Sequence, residues 1–303
     1  MAKKIAFTRI YRSEIGNTAN HAQDTGYLYI KRRYDETGNL LWEVQYNRTG
    51  QEESITDYYY NQDNKVIEKR LFYPNDNTEE KTLYSYNKSG LQEEECLFYD
   101  NELYIKQKTL YNKLKQQTAI ESYDSENTLT GKEVFRYNKH DKLTCHAHYN
   151  ELNEKDWEIT FFYNDNNQCI KEIHDNIAEG IKETLLLKYN EAGKNTRSES
   201  IDANGNTIGY VEVSFNDKDL PVKYVSETLN YGISKIINQL VYNDAGKITE
   251  NEYFDVLNSR LISRESYTYD EEGNTKTEEQ YEFDSQSGRI SQYRLQYMYE
   301  YYI

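Results

Sequence analysis

The 303-residue chain has no apolar run long enough to cross a bilayer as a helix, which excludes a helical membrane span. Its first residues, MAKKIAFTRIYR, have neither the apolar centre nor the small-residue cleavage site of a secretory signal. Cysteine is scarce and odd in number (Cys96, Cys145 and Cys169), so a disulfide framework is excluded and a reducing compartment fits. Positive charge is in deficit: 36 Lys and Arg stand against 52 Asp and Glu, a net charge of −16. Such a surface repels nucleic-acid backbones and anionic membranes and attracts cationic partners. Apolar residues are thin at 37%, and 32 residues are tyrosines, whose hydroxyls need water or a partner when covered, so a thick dry core is not expected. The expected setting is a bacterial-type cytoplasm, with no nucleic acid and no membrane as partner.

Catalytic signatures are missing as well. No phosphate-cradling glycine loop, nucleophile elbow or His-Glu-x-x-His pattern occurs. Carboxylate pairs abound, as at Glu93, Glu94 and Glu95 or Asp270, Glu271 and Glu272, but among 52 acids nothing sets one pair apart. The densest set of metal-type side chains is His140, Cys145, His146 and His148. In a strand His146 and His148 share a face that Cys145 does not, so the set does not converge on one ion. The cysteines fall at the eleventh, ninth and seventh positions of their repeats, which places them on one face of equivalent strands, as small apolar fillers. The expectation is no catalytic residue, no cofactor and no metal.

What the chain does contain is a period. An aromatic followed by Asn or Asp opens at Tyr34, Tyr60, Tyr86, Tyr111, Tyr137, Tyr163, Tyr189, Phe215, Tyr242 and Tyr269, at spacings of 25 to 27 residues. Ten copies span 34–296, and a fixed period of this kind signals a repeat architecture. The fifth position is Gly, Asn or Asp in every copy but one, where Lys115 stands. An Asx residue followed three positions later by a left-handed residue describes a type I turn with a glycine-type bulge joining two antiparallel strands. The residue two before the opening aromatic, such as Tyr58, Phe135, Leu187 or Tyr267, is mostly apolar or aromatic, while Ser85, Arg136, Lys188 and Thr268 occupy the position between. Period two puts the aromatics on one face and leaves the other wet. A second, less regular turn sits midway through each copy, as at Asp124, Asp202 and Gly205, or Asp284 and Gly288.

The fold expected is therefore all-β: tandem hairpin repeats of about 26 residues in one long antiparallel sheet of roughly 20 strands, curved or coiled into a half-pipe or spiral by accumulated strand twist. Residues 1–33, with the loop GNTANHAQDTG between two strand-like pieces, are expected to form an N-terminal strand cap, and 297–303 an aromatic C-terminal cap.

The segments YDETGNL, YNKSGL, YNDAGKI and YDEEGN resemble the Tyr-Asp (YD) repeats of Rhs and teneurin-type proteins, and the hairpin-per-repeat plan is more distantly similar to MORN repeats. The resemblance implies a β-hairpin spiral that can close into a shell, and surfaces that bind proteins or carbohydrates. The function expected is a non-enzymatic repeat scaffold that binds a cationic protein toxin as an immunity or antitoxin-like protein. The alternatives are a carbohydrate-binding or adhesin-like surface module, a glycan-cleaving enzyme, and a fragment of an Rhs-like shell. The partner-binding residues expected are Tyr58, Tyr59, Tyr297, Tyr299, Tyr301 and Tyr302. Alternation puts Tyr297, Tyr299 and Tyr301 on one strand face, at an end of the chain where packing demand falls.

Overall fold

The computed structural model describes residues 3–15, 26–230 and 232–303. Within them every regular element is a strand. The first eleven are β1 (Ile5–Glu14), β2 (Tyr27–Tyr34), β3 (Leu40–Tyr46), β4 (Glu52–Tyr60), β5 (Val66–Tyr73), β6 (Thr78–Tyr86), β7 (Gln92–Tyr99), β8 (Glu102–Tyr111), β9 (Gln117–Tyr123), β10 (Leu129–Tyr137) and β11 (Leu143–Asn150). The rest are β12 (Lys155–Tyr163), β13 (Cys169–Asn176), β14 (Ile181–Tyr189), β15 (Asn195–Ile201), β16 (Thr207–Phe215), β17 (Pro221–Thr228), β18 (Ser234–Tyr242), β19 (Ile248–Asp255), β20 (Arg260–Tyr269), β21 (Thr275–Phe283) and β22 (Ile290–Tyr301). The loop read between the first two strands lies, but for Gly26, outside the described residues.

The turns form where the Asx periodicity puts them. At Asn164 the side-chain carbonyl accepts from the backbone N–H groups of Asn166 and Gln168, both at 3.0 Å. The Asn167 N–H donates to the Asn164 carbonyl at 2.9 Å, and Asn167 itself is left-handed at φ 58°. A bulge follows, Tyr163 facing Cys169 while Phe162 faces Lys171. The same local network recurs at the opposite rim, for instance around Asn150 and Asp202. Lys115, the residue that breaks the sequence rule, is driven into the same left-handed conformation at φ 64°. One connection is tighter: Asp100 and Asn101, both with positive φ, join the directly paired Tyr99 and Glu102 as a two-residue turn.

The opening tyrosines from Tyr60 onward have a second task. Their hydroxyls reach the backbone carbonyl at the start of the neighbouring strand: Tyr60 to Leu40 and Tyr163 to Leu143, both at 2.7 Å, and likewise Tyr86, Tyr111, Tyr137, Tyr189, Tyr242 and Tyr269. The hydroxyl caps a carbonyl that the bulge leaves outside the ladder, which is why tyrosine and not phenylalanine recurs. Phe215 alone among the ten lacks the group.

Every strand pairs antiparallel with its neighbours in sequence, and β1 pairs with β22, from Ile5 opposite Tyr301 to Glu14 opposite Tyr293. The sheet is thus a closed up-and-down barrel, and the open half-pipe or spiral expected from the sequence is corrected by this one pairing. Accumulated twist and coiling bring the two edges face to face, and pairing them satisfies two rows of backbone groups that an open sheet would leave bare. The segments expected as caps supply that seam, β1 being hydrogen-bonded on both sides.

The tyrosine face is the inner one. Along β22 Leu295 is buried and Tyr293, Tyr297, Tyr299 and Tyr301 are half-buried, while Arg294, Gln296, Met298 and Glu300 between them are exposed. With 22 strands spaced about 4.8 Å apart the wall is at least roughly 105 Å around, too wide for side chains to fill. Among the described residues the buried apolar set is seven small or medium side chains, with Ile10 the largest to be almost wholly enclosed. The inside is therefore lined and wet, not packed.

Candidate functional site

The inner wall is the candidate site, because closure turns one face of every strand towards a common, sheltered space. Strand register assigns its chemistry. Glu95 faces Tyr84, Glu172 faces Phe161, Glu183 faces His174, and Glu278 faces Tyr267, so these carboxylates share the tyrosine face. The cations on that face are largely taken. Arg32 is held by Glu43 at 2.5 Å, and Arg12 by Glu14 at 3.0 Å with its guanidinium stacked over Tyr293. The carboxylates outnumber the cations on that face, where Lys69, opposite Tyr58, is a further cation.

Of the six tyrosines expected to bind a partner, the structure gathers three. Tyr297, Tyr299 and Tyr301 line a pocket of about 410 Å³ together with Tyr269, Asp270, Glu271, Glu272 and Lys276, at the rim where the Asx turns lie. Tyr297 and Tyr299 stack at 6.4 Å. Each is also bonded into the wall: Tyr297 donates to Glu278 at 2.9 Å, Tyr299 donates to the Thr275 carbonyl at 2.8 Å, and Tyr301 accepts from Asn274 at 3.0 Å. Burial pushes the Tyr297 hydroxyl well above the usual phenol range and that of Tyr299 to about 12. Tyr302 donates to the Tyr34 carbonyl at the seam. Tyr58 is on the inner wall of β4, outside that pocket, and burial raises its hydroxyl. Tyr59 points outward, 45% exposed, under Arg70.

The histidine-rich segment forms an aromatic cluster. Phe135 stacks on His146 at 4.4 Å, Trp157 meets His146 edge-on at 4.8 Å, and His148 stacks on Trp157 at 5.9 Å. His146 Nε2 lies 2.7 Å from Glu133 and His148 Nδ1 lies 2.8 Å from Asp156. Gly131 makes room, since a Cβ there would stand 2.9 Å from the His148 ring. Among the described residues no group of three or more His, Cys, Asp or Glu side chains gathers to hold an ion. The common face read for the three cysteines is corrected. Cys96 and Cys145 face Leu83 and Arg136 on the outer wall, but Cys169 faces Tyr163 on the inner one, because the bulge after Asn167 shifts the alternation.

The inner-wall glutamates and the pocket around Asn238, described below, were not singled out in the sequence. Their signal is there in the spacing: Glu265 stands four residues before Tyr269 and Asn238 four before Tyr242, hence on the tyrosine face.

No protein-family model matches the chain, and no curated protein matches it in sequence. Among solved structures, that of TcdB2-TccC3-Cdc42 superposes with a TM-score of 0.59 at 14% identity, over 97% of this chain and 16% of that one. The structure of TcdB2-TccC3 without its hypervariable C-terminal region gives 0.51 at 13% identity, over 91% of this chain and 16% of that one. The chain thus spans about a sixth of the length of the chains it resembles. The likeness is one of fold.

Proposed function

We propose that the barrel is a non-enzymatic receptacle whose acidic, tyrosine-lined inner wall holds an extended cationic segment of one protein partner, as an immunity or antitoxin-like protein would mask a cationic toxin. The observation that carries this reading is the placement of Glu95, Glu172, Glu183 and Glu278 on a face enclosed by the ring, where low-dielectric walls focus their field. Tyrosine rings between them offer cation–π and stacking surface to Arg and Lys side chains. The reading takes both walls to face water. The outer wall carries Arg70, Lys108, Lys171, Arg197 and Arg264 along its strands, and such residues cost about 2–4 kcal/mol each at a bilayer midplane.

Titrating the purified protein with a fluorescent lysine-rich peptide and a glutamate-rich control tests it. Binding of the first alone, weakened by salt and by the combined change of Glu95, Glu172 and Glu278 to Gln, is expected. Absence of lysine-peptide binding at low salt, together with no protein co-purifying from the native cell at low or high salt, would overturn it.

A second reading, that the chain is a segment of a larger Rhs-like shell, is favoured by a fold match covering 97% of this chain and only 16% of the other. Intact-mass measurement of the native protein separates the two: a chain several times longer supports the shell.

A further inference from the structure

Strands β17, β18 and β19 build a pocket of about 430 Å³ on the inner wall, within the size range of small-molecule sites. Tyr224, Asn238 and Tyr253 stand in one cross-strand row at its centre. The two rings are two strand spacings apart, about 9.6 Å between their backbones, with the amide between them. Ile236 and Leu240 give the pocket an apolar floor, and Ser226 and Asn251 add neutral polar groups. No charged side chain lines it. Tyr253 is left 40% exposed, although it lies on the sheltered face.

Asn238 is the informative residue. It is only 8% exposed, and both N–H bonds of its amide are committed, to the Asn251 side-chain carbonyl at 2.5 Å and to the Glu252 backbone carbonyl at 3.0 Å. Asn251 in turn donates to Glu265 at 3.1 Å, and Glu265 also accepts from Tyr267 at 2.9 Å. Carboxylate and backbone carbonyl accept only, so the chain of donors has one direction and the orientation of both amides is settled. What is left over is the Oδ1 of Asn238, a pocket-lining residue, and this acceptor meets no protein donor among the described residues. Because it is not sealed off from solvent, this acceptor is open to a ligand that brings a hydroxyl or amide N–H.

The geometry points to a binding site for a neutral carbohydrate: one pyranose ring seated between Tyr224 and Tyr253, with a ring hydroxyl donating to Asn238 Oδ1 and others within reach of Ser226 and Asn251. A sugar ring supplies what the pocket asks for, an apolar C–H face for tyrosine and a hydroxyl edge for the amide. An ammonium or phosphate ligand would find no counter-charge lining the cavity. The proposal stands apart from the cationic-partner reading, since it uses no charge and predicts no salt dependence.

The test uses the full chain and an array of neutral oligosaccharides, followed by calorimetry with the best-retained sugar. Retention that survives high salt, and falls about tenfold in Tyr253→Ala, is expected, a loss equivalent to removing one stacking face. Tyr253→Phe should keep most of the affinity, because the ring and not its hydroxyl makes the contact. Asn238→Ala should also lose binding, and because it removes buried hydrogen bonds it is read only alongside a circular dichroism spectrum. Retention of no neutral sugar, binding untouched by Tyr253→Ala, or loss of lysine-rich peptide binding in place of sugar binding in that variant would each overturn the proposal.

Discussion

The hydroxyl of Tyr302 donates to the backbone carbonyl of Tyr34, and the Tyr302 N–H donates to the Lys4 carbonyl at 2.9 Å, so the last residues of the chain lock onto its first strands. Tyr302 does for the seam what the opening tyrosines do within the array.

Closure has a parity. Neighbouring strands alternate in direction, so an all-antiparallel ring needs an even number of them, and β2 and β22 run the same way. Deleting β1 therefore leaves two edges that cannot pair with each other as the other neighbours do. Removal of residues 1–26 is expected to convert a monomer into oligomers held edge to edge, measured by light scattering after size exclusion. A monodisperse monomer of unchanged strand content would contradict the seam.

The hydroxyl ladder makes a reciprocal pair of predictions. Tyr163→Phe removes the bond to the Leu143 carbonyl and should cost about 1 kcal/mol in urea unfolding. Phe215→Tyr restores the missing group opposite Asn195 and should gain a comparable amount. Equal stabilities for wild type and both variants would show that the hydroxyls merely exchange protein for water.

Lys115 sits at φ 64° in a turn where glycine carries no strain. Lys115→Gly should raise stability by about 1 kcal/mol, read as a higher urea midpoint. The same change at an extended strand position would lower it.

Alkaline pH should open the barrel. Burial raises the hydroxyls of Tyr60, Tyr86, Tyr163, Tyr189, Tyr242 and Tyr269 above the usual phenol value, and that of Tyr299 to about 12. The folded state holds these protons more tightly than the unfolded chain, so their contribution is complete below about pH 10 and is lost as pH rises through the folded values. Circular dichroism and tyrosinate absorbance followed together should change in one cooperative step above pH 10. Tyrosines ionising like the free amino acid, with the sheet intact, would refute this.

The turns and the tyrosine face were legible because their causes are local: an Asx carbonyl reaches N–H groups two and four residues on, and alternation carries the face along each strand. The seam was not, since Ile10 opposite Tyr297 is a contact between residues at opposite ends of the chain, and neither end carries the repeat motif. Nor was Cys169, whose face depends on a bulge that breaks the count of two. Asn238 reads in the sequence as a weak strand former. Its meaning comes from Tyr224 and Tyr253, on strands either side of it, and from a row that only pairing assembles.

Lys4 and Tyr302 are hydrogen-bonded neighbours at the rim that holds the opening-motif turns, so β1 and β22 meet there as the two arms of a hairpin do. Each added repeat brings two strands and lengthens the circumference by roughly 10 Å. Bore size is thus written in repeat number, and a gene that gains or loses whole copies resizes its container without redesigning any wall.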